Sequence, residues 1–269
     1  MKLRLQKGDH YTYVITQEST VQNNTQEEPV LYQKIGLKMR QEVLERLGNG
    51  NYVMEASFLN FTLEIKSKGK VSRYDSDTIN VRNKYYKSLN FLTYIKLNYE
   101  VSPEGVVSKL SGFEPITKNI ETDSQLSGLL RSFSSEQFLL EFYHYLPLKN
   151  VGPGDKWTSQ AILPDMMKLK YNIHYTFKEA LAQNLKLQQK ASLTYSSQIP
   201  MHEPGKTGTI KESGTQNGIL SIDPKTCMCL SSDIDQQIEI IMPTLIKLNG
   251  DPSAPIKVIT NTKRLLVKK

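Results

Sequence analysis

The 269-residue chain contains two cysteines, Cys227 and Cys229, and one tryptophan. Two thiols two positions apart cannot make a disulfide framework. Without a second ligand pair they also fall short of the spacing a zinc site needs. The four histidines, His10, His144, His174 and His202, are scattered, so neither H-x₃-H nor H-E-x-x-H occurs. No run approaches 18 consecutive apolar residues, so none reads as a membrane-spanning helix. A concentrated basic block is missing too. The net charge of +7 is spread along the chain and is densest in the tail, at Lys263, Arg264, Lys268 and Lys269. Nucleic-acid binders gather their charge on one face; diluted lysine reads instead as the solvated side of sheets, where it also discourages edge-to-edge aggregation.

Catalytic signatures are equally scarce. No G-x-S-x-G elbow is present, and no Ser-His-Asp grouping stands out. Gly205-Lys206-Thr207 ends like a phosphate loop, but Pro200 stands where the first glycine belongs and both flanks read as strands. Asp75-Ser76-Asp77 begins like a calcium loop and lacks its glycine and distal glutamate. It reads better as a cap for a helix that follows. His144 sits in an apolar stripe between Tyr143 and Tyr145 and reads as a packing residue. Asn23-Asn24-Thr25 and Asn60-Phe61-Thr62 match the glycosylation sequon, a pattern common by chance. No catalytic, cofactor-binding or metal-binding residue emerges, so the chain reads as a non-enzyme with no cofactor and no nucleic-acid partner.

What the chain has in quantity is strict alternation. Tyr11, Tyr13 and Ile15 share one parity; so do Leu37, Met39, Gln41 and Val43. Tyr171, Ile173, Tyr175 and Phe177 follow, then Leu185, Leu187, Gln189, Ala191, Leu193 and Tyr195. Period two with this composition predicts strands. The runs of 10–16 residues exceed the usual strand length. Turn signals at Gly48-Asn49-Gly50-Asn51, Lys68-Gly69-Lys70, Ser102-Pro103-Glu104-Gly105, Asn217-Gly218 and Asp223-Pro224-Lys225 separate them.

Helical spacing is predicted at two places. Val81, Tyr85, Tyr86, Leu89 and Leu92 mark a helix at about 79–92. A longer segment, 112–146, carries one stripe of Leu126, Leu129, Leu130 and Phe133 and another of Phe138, Leu139, Phe142, Tyr145 and Leu146. Ser134 and Gln137 form a capping-box pattern, and Pro147 ends the second stripe. The two flanks of this segment look alike. Gly8-Asp9-His10-Tyr11 opens the first and Gly154-Asp155-Lys156-Trp157 the second, and each later has a Pro turn, at Pro103 and Pro224. The expected fold class is therefore mainly β (α+β): a large curved antiparallel sheet or half-barrel of two pseudo-repeated halves. Residues 1–111 form the first half, 112–150 a helical connection and 151–269 the second half of one continuous domain. The helices at 79–92 and 112–146 are expected to cover one face. Tyr11 and Trp157 are expected as equivalent core anchors.

The Lys7-Gly8-Asp9-x-Tyr11 start, the Gly50-Asn51-Tyr52 hairpin and Tyr74-Asp75-Ser76-Asp77 recur in order with Val101-Ser102-Pro103-x-Gly105 and Gly154-Asp155-x-Trp157. Taken together, these resemble a domain-of-unknown-function family of Gram-negative bacterial envelope lipoproteins. At the level of fold they also resemble the half-barrel carriers of lipoproteins and lipids. The resemblance implies an extracytoplasmic protein, periplasmic or outer-membrane-anchored. Its signal segment and acylated cysteine would lie upstream of a trimmed start. It brings no activity and no catalytic residues. Thr226 in the second Pro turn departs from Gly105 in the first.

Two functions stay open. One is the binding of a lipid or other apolar small molecule between sheet and helices, lined by Leu130, Phe133, Phe138 and Phe142. The other is a structural or protein-interaction module of the cell envelope, in which the same side chains fill the core.

Overall fold

Alternating side chains give strands an apolar face, and among the described residues twelve strands join edge to edge. The computed structural model describes residues 1–23, 29–78, 88–116, 118, 136–162, 170–200, 207–241 and 256–268. The first six strands are β1 (His10–Asn23), β2 (Leu31–Arg46), β3 (Tyr52–Ser67), β4 (Lys70–Asp75), β5 (Lys96–Val101) and β6 (Val107–Ser111). The remainder are β7 (Lys156–Ile162), β8 (Lys170–Ala180), β9 (Leu185–Pro200), β10 (Thr207–Ile222), β11 (Cys229–Ile241) and β12 (Ile256–Lys268). They form one open antiparallel sheet in the order β6-β5-β3-β2-β1-β12-β11-β10-β9-β8-β7, with β4 paired to β3. The mainly β class read from alternation holds.

The order has a consequence for the chain path. β1 lies at the centre, paired with β2 on one side and with β12 on the other, so the first and last strands seal the middle of the sheet. β6 and β7 stand at opposite ends of the path, and the chain between them must travel from one edge to the other.

The sheet curls. Leu3 N–H donates to the Pro103 carbonyl in the β5–β6 turn (2.7 Å), and Arg4 N–H to the Thr226 carbonyl in the β10–β11 turn (3.1 Å). These turns are six strand spacings apart along the order, about 29 Å if the sheet were flat. Adjacent residues hold the two carbonyls within about 10 Å of each other, which only a strongly bent sheet permits. Leu3 and Leu5 are buried in the bend, and Tyr52 Oη donates to the Leu3 carbonyl at 3.1 Å.

Parity decides what lies inside. Tyr11 and Tyr13 of β1 are buried, with Leu37, Met39, Gln41 and Val43 of β2, Leu97, Tyr99 and Val101 of β5, and Ile173, Tyr175 and Phe177 of β8. A bulge in β3, where Lys38 pairs with Asn60 and Met39 with Phe58, shifts the parity by one. It keeps both Phe58 and Phe61 inside and turns Leu59 out.

The turns mostly fall where the sequence puts them. Lys68 and Gly69 both take positive φ (48° and 71°), as a tight β3–β4 hairpin requires. The two Gly-Asp openings carry the same bonds. Gly8 N–H reaches the Val43 carbonyl and Gly154 N–H the Phe177 carbonyl, at 2.8 and 2.7 Å. Asp9 accepts from Gln6 N–H and Asp155 from Gly152 N–H, each at 2.8 Å.

Asn217-Gly218 is the exception. It is not a turn but the interior of β10. Gly218 is needed for closeness: a Cβ there would stand 2.9 Å from Ile234 Cγ1 and 3.1 Å from the Asp233 carbonyl.

The expected helices are only partly within the described residues. Leu89 and Leu92 are buried in a short 3-10 helix, Ser88–Tyr94, while 79–87 lie outside. Asp75 and Ser76 do not cap a described helix. They tie the end of β4 to β3, accepting from Asn60 Nδ2 (2.9 Å) and Phe61 N–H (3.0 Å) respectively. In the 112–146 segment, residue 117 and residues 119–135 lie outside the described residues, and Leu130 and Phe133 with them. The second stripe is helical only in α1 (Glu136–Leu140), and residues 141–146 run as successive turns. The reason is burial on several sides. A helix offers one apolar face, whereas Phe142, Tyr143, Tyr145 and Leu146 are all buried.

Candidate functional site

The turns after α1 are drawn tight by short-range bonds, from Phe142 N–H to the Leu139 carbonyl (3.1 Å) and from Tyr143 N–H to the Leu140 carbonyl (2.9 Å). They spread consecutive side chains in different directions. Phe142 packs edge-on against Tyr13 of β1 (5.4 Å between rings). Tyr143 Oη donates to Gln41 Oε1 (3.4 Å), which leaves its oxygen to accept from Tyr99 Oη at 2.9 Å. His144 Nδ1 meets Tyr175 Oη at 2.7 Å, and Tyr145 Oη donates to the Cys227 carbonyl at 2.7 Å. Trp157 is half-buried, stacked on Tyr175, and its indole N–H donates to the Tyr145 carbonyl at 3.1 Å. It is less enclosed than the fully buried Tyr11, with which the sequence pairs it. One short segment is thus held by β1, β2, β5, β7, β8 and the turn before β11.

Burial governs the ionisation here. The Tyr13, Tyr99, Tyr145 and Tyr175 hydroxyls are pushed well above their ordinary range by desolvation and stay neutral. Burial, assisted by the Arg264 charge, lowers His144 to about 3. A neutral native imidazole makes stability pH-dependent. The unfolded chain takes up a proton below about pH 6.5 while the native state resists it down to about 3, so stability falls as pH falls through that window. Acidification from pH 7.5 to 5 is expected to cost about 2 kcal/mol through this group. Urea denaturation of His144→Gln should show a smaller loss over the same interval; an unchanged loss would assign it elsewhere.

Beside this segment lies a cavity of about 150 Å³. One part of its wall is apolar, with Ile15, Ile35, Leu37, Phe138 and Leu220. The other is polar, with Gln17, Gln189, Gln216, Ser232, Gln236 and Arg264, and Glu141 and His144 stand at the α1 side. Arg264 is 6% exposed and Gln189 1%. Among the described residues, Arg264 Nε, both amide atoms of Gln189, Gln216 Oε1 and Ser232 Oγ have no hydrogen-bond partner. Such groups are rare in interiors, because each unmade bond costs about 1–3 kcal/mol. Their convergence on one void marks it as the candidate site.

Of the four residues the sequence nominates, Phe138 lines this cavity and Phe142 does not. Phe142 is 1% exposed and lies under the Arg264 guanidinium, 3.9 Å from the ring centre. Leu130 and Phe133 lie outside the described residues. The polar wall is what sequence reasoning missed. A signal existed in the inward stripes, where Gln41 and Gln189 interrupt otherwise apolar runs. Cys227 and Cys229 are buried free thiols, and Cys227 precedes β11 with a φ of 60°. Among the described residues, no group of three or more His, Cys, Asp or Glu could hold a metal ion.

Comparison with curated proteins finds no match. Residues 49–229, about two thirds of the chain, match a family described as a family of unknown function, DUF6263. The matched region contains β3 to β10, the 138–146 segment and Gln189, but ends before Arg264. The chain is therefore a member of the DUF6263 family, with a curled antiparallel sheet and a half-polar cavity among its described residues.

Proposed function

We propose that the protein is a non-enzymatic extracytoplasmic binder of a small molecule with an apolar body. The ligand would sit between the concave face of the sheet and the segment that follows α1. The observation that carries this reading is the cavity with its unpartnered buried groups. Its volume, about 150 Å³, suits a benzene-sized body or about five waters. A full acyl chain needs the larger 300–1,000 Å³ typical of ligand pockets. The extracytoplasmic setting and a lipid anchor rest on the resemblance to envelope lipoproteins.

The same reading includes the wider architecture. The connection from β6 to β7 joins the two ends of the strand order, and the helical part of the 112–146 segment would cover the concave face of a half-barrel, with Leu130 and Phe133 turned towards it. The matching bonds of the Gly8-Asp9 and Gly154-Asp155 turns, and the Pro turns that both receive the 3–4 backbone, favour two duplicated halves of one domain. Superposition of 5–111 on 151–231 should reproduce the strand order; unrelated paths would exclude duplication.

A second reading, an envelope interaction module, draws on the convex face. There Val14 pairs with Leu265 in register and Val267 lies on the same parity, and all three are exposed.

Titration of the full chain with 1-butanol, followed by methyl NMR, tests the first reading. Saturable shifts at Ile15, Ile35, Leu37 and Leu220 are expected. They should vanish when Leu37→Trp fills the void in a protein that stays folded. Shifts without saturation would exclude a built site and leave the interaction module.

A further inference from the structure

We infer that the polar end of the cavity holds the carboxylate of a short monocarboxylic acid, with Arg264 as its anchor and the apolar wall taking the hydrocarbon tail. The inference rests on the proposed binding function and specifies its ligand.

Register places the polar wall as a built surface rather than a chance collection. Arg264 of β12 lies beside Ser232 of β11, and Ser232 beside Leu220 of β10. Two residues along each strand, Thr262 lies beside Ile234, Ile234 beside Gly218, and Gly218 beside Gln189 of β9. A further two along, Gln236 lies beside Gln216. A step of two keeps every one of these residues on the same face. Gly218 contributes no side chain, so the row opens between Ile234 and Gln189.

Arg264 is a buried cation with little to neutralise it among the described residues. Its Nη1 donates to the Glu141 carbonyl oxygen at 3.1 Å, and its plane lies over the Phe142 ring. The carboxylate oxygen paired with it among the described residues, Glu141 Oε2, is 4.0 Å from Nη2 and belongs to a side chain that is 46% exposed. An ion pair so long and so well solvated contributes little. The Cys229 thiol also accepts from Arg264, but burial raises it to about 11 and it carries no charge. His144, which also lines the cavity, is neutral. The guanidinium is thus fixed in place with its Nε–H unpartnered.

A carboxylate answers all of these features. It accepts from Arg264 Nε–H, from the Gln189 amide and from the Ser232 hydroxyl, and it supplies the missing negative charge. Water would satisfy the amides and the hydroxyl but not the charge. The room beyond the head group limits the tail to a few carbons, facing Ile15, Ile35, Leu37 and Leu220.

The test is calorimetric titration of the full chain at pH 7 with sodium butyrate, its neutral isostere butyramide, and 1-butanol. Butyrate should bind at least tenfold more tightly than butyramide. Arg264→Met should remove that preference while 1-butanol still binds. Should Arg264→Met fail to fold, Gln189→Leu and Ser232→Ala should each weaken butyrate several-fold with the near-UV circular dichroism unchanged. Equal affinity for butyrate and butyramide, or butyrate affinity unaltered in a folded Arg264→Met protein, would overturn the inference. Binding of 1-butanol with no preference for butyrate leaves the cavity reading standing and removes the carboxylate. If none of the three binds, both fall.

Discussion

Replacing Phe142 with alanine is expected to lower the stability of the fold by about 3–5 kcal/mol, the usual cost of deleting a fully enclosed aromatic ring. The ring packs on Tyr13 at 5.4 Å and on Phe138 at 5.8 Å, both at steep angles, and carries the Arg264 guanidinium on its face. Ring pairs of this kind add about 0.5–1.5 kcal/mol beyond buried area. The loss also reaches the site, because Arg264 would lose the surface it lies on. Phe138→Ala should cost less, since that ring already borders a void and its removal enlarges one that exists. Urea denaturation of the two variants gives the comparison. If Phe142→Ala cost under about 1 kcal/mol, the turns after α1 would not be part of the core.

The second large effect is expected at Gly112, where the chain leaves β6 towards α1. Its φ is +94°, and a Cβ would overlap the Lys96 carbonyl oxygen. Neither the backbone conformation nor the neighbouring strand can yield cheaply, so Gly112→Ala should cost about 3 kcal/mol or more. Gly50 provides the control. It has a similar φ of +89° but open space around it, so alanine there should cost only the conformational penalty, about 1–2 kcal/mol. Equal losses at the two sites would mean that backbone strain alone matters and that the close approach to Lys96 does not.

Much of the architecture was legible because a strand's side-chain period is two and turn residues obey local rules. The runs at 11–15, 37–43, 171–177 and 185–195 announced their own inward faces. Lys68-Gly69, Pro103 and Pro224 turned where their backbone preferences require. Asn217-Gly218 misled because an Asn-Gly pair satisfies a hairpin locally, and only the neighbouring strand reveals that Gly218 is there to let Ile234 approach. The helical reading of 136–146 failed past Leu140 for a related reason: apolar spacing records that residues are buried, not against how many neighbours.

The candidate site lay mostly beyond the reach of sequence. Gln41 and Gln189 in apolar stripes showed that something polar faces inward. Nothing along the chain could bring Gln189 of β9, Ser232 of β11 and Arg264 of β12 to one wall, since that depends on strand order and register. Local chemistry determined the strands, their inner faces and most of their turns. The long-range pairing of β1 with β12, the curl that follows and the crossing from β6 to β7 were decided by the tertiary structure. These arise from contacts between residues as many as 256 positions apart, as Thr12 is from Lys268, and a period of two carries no information about which strand becomes the neighbour.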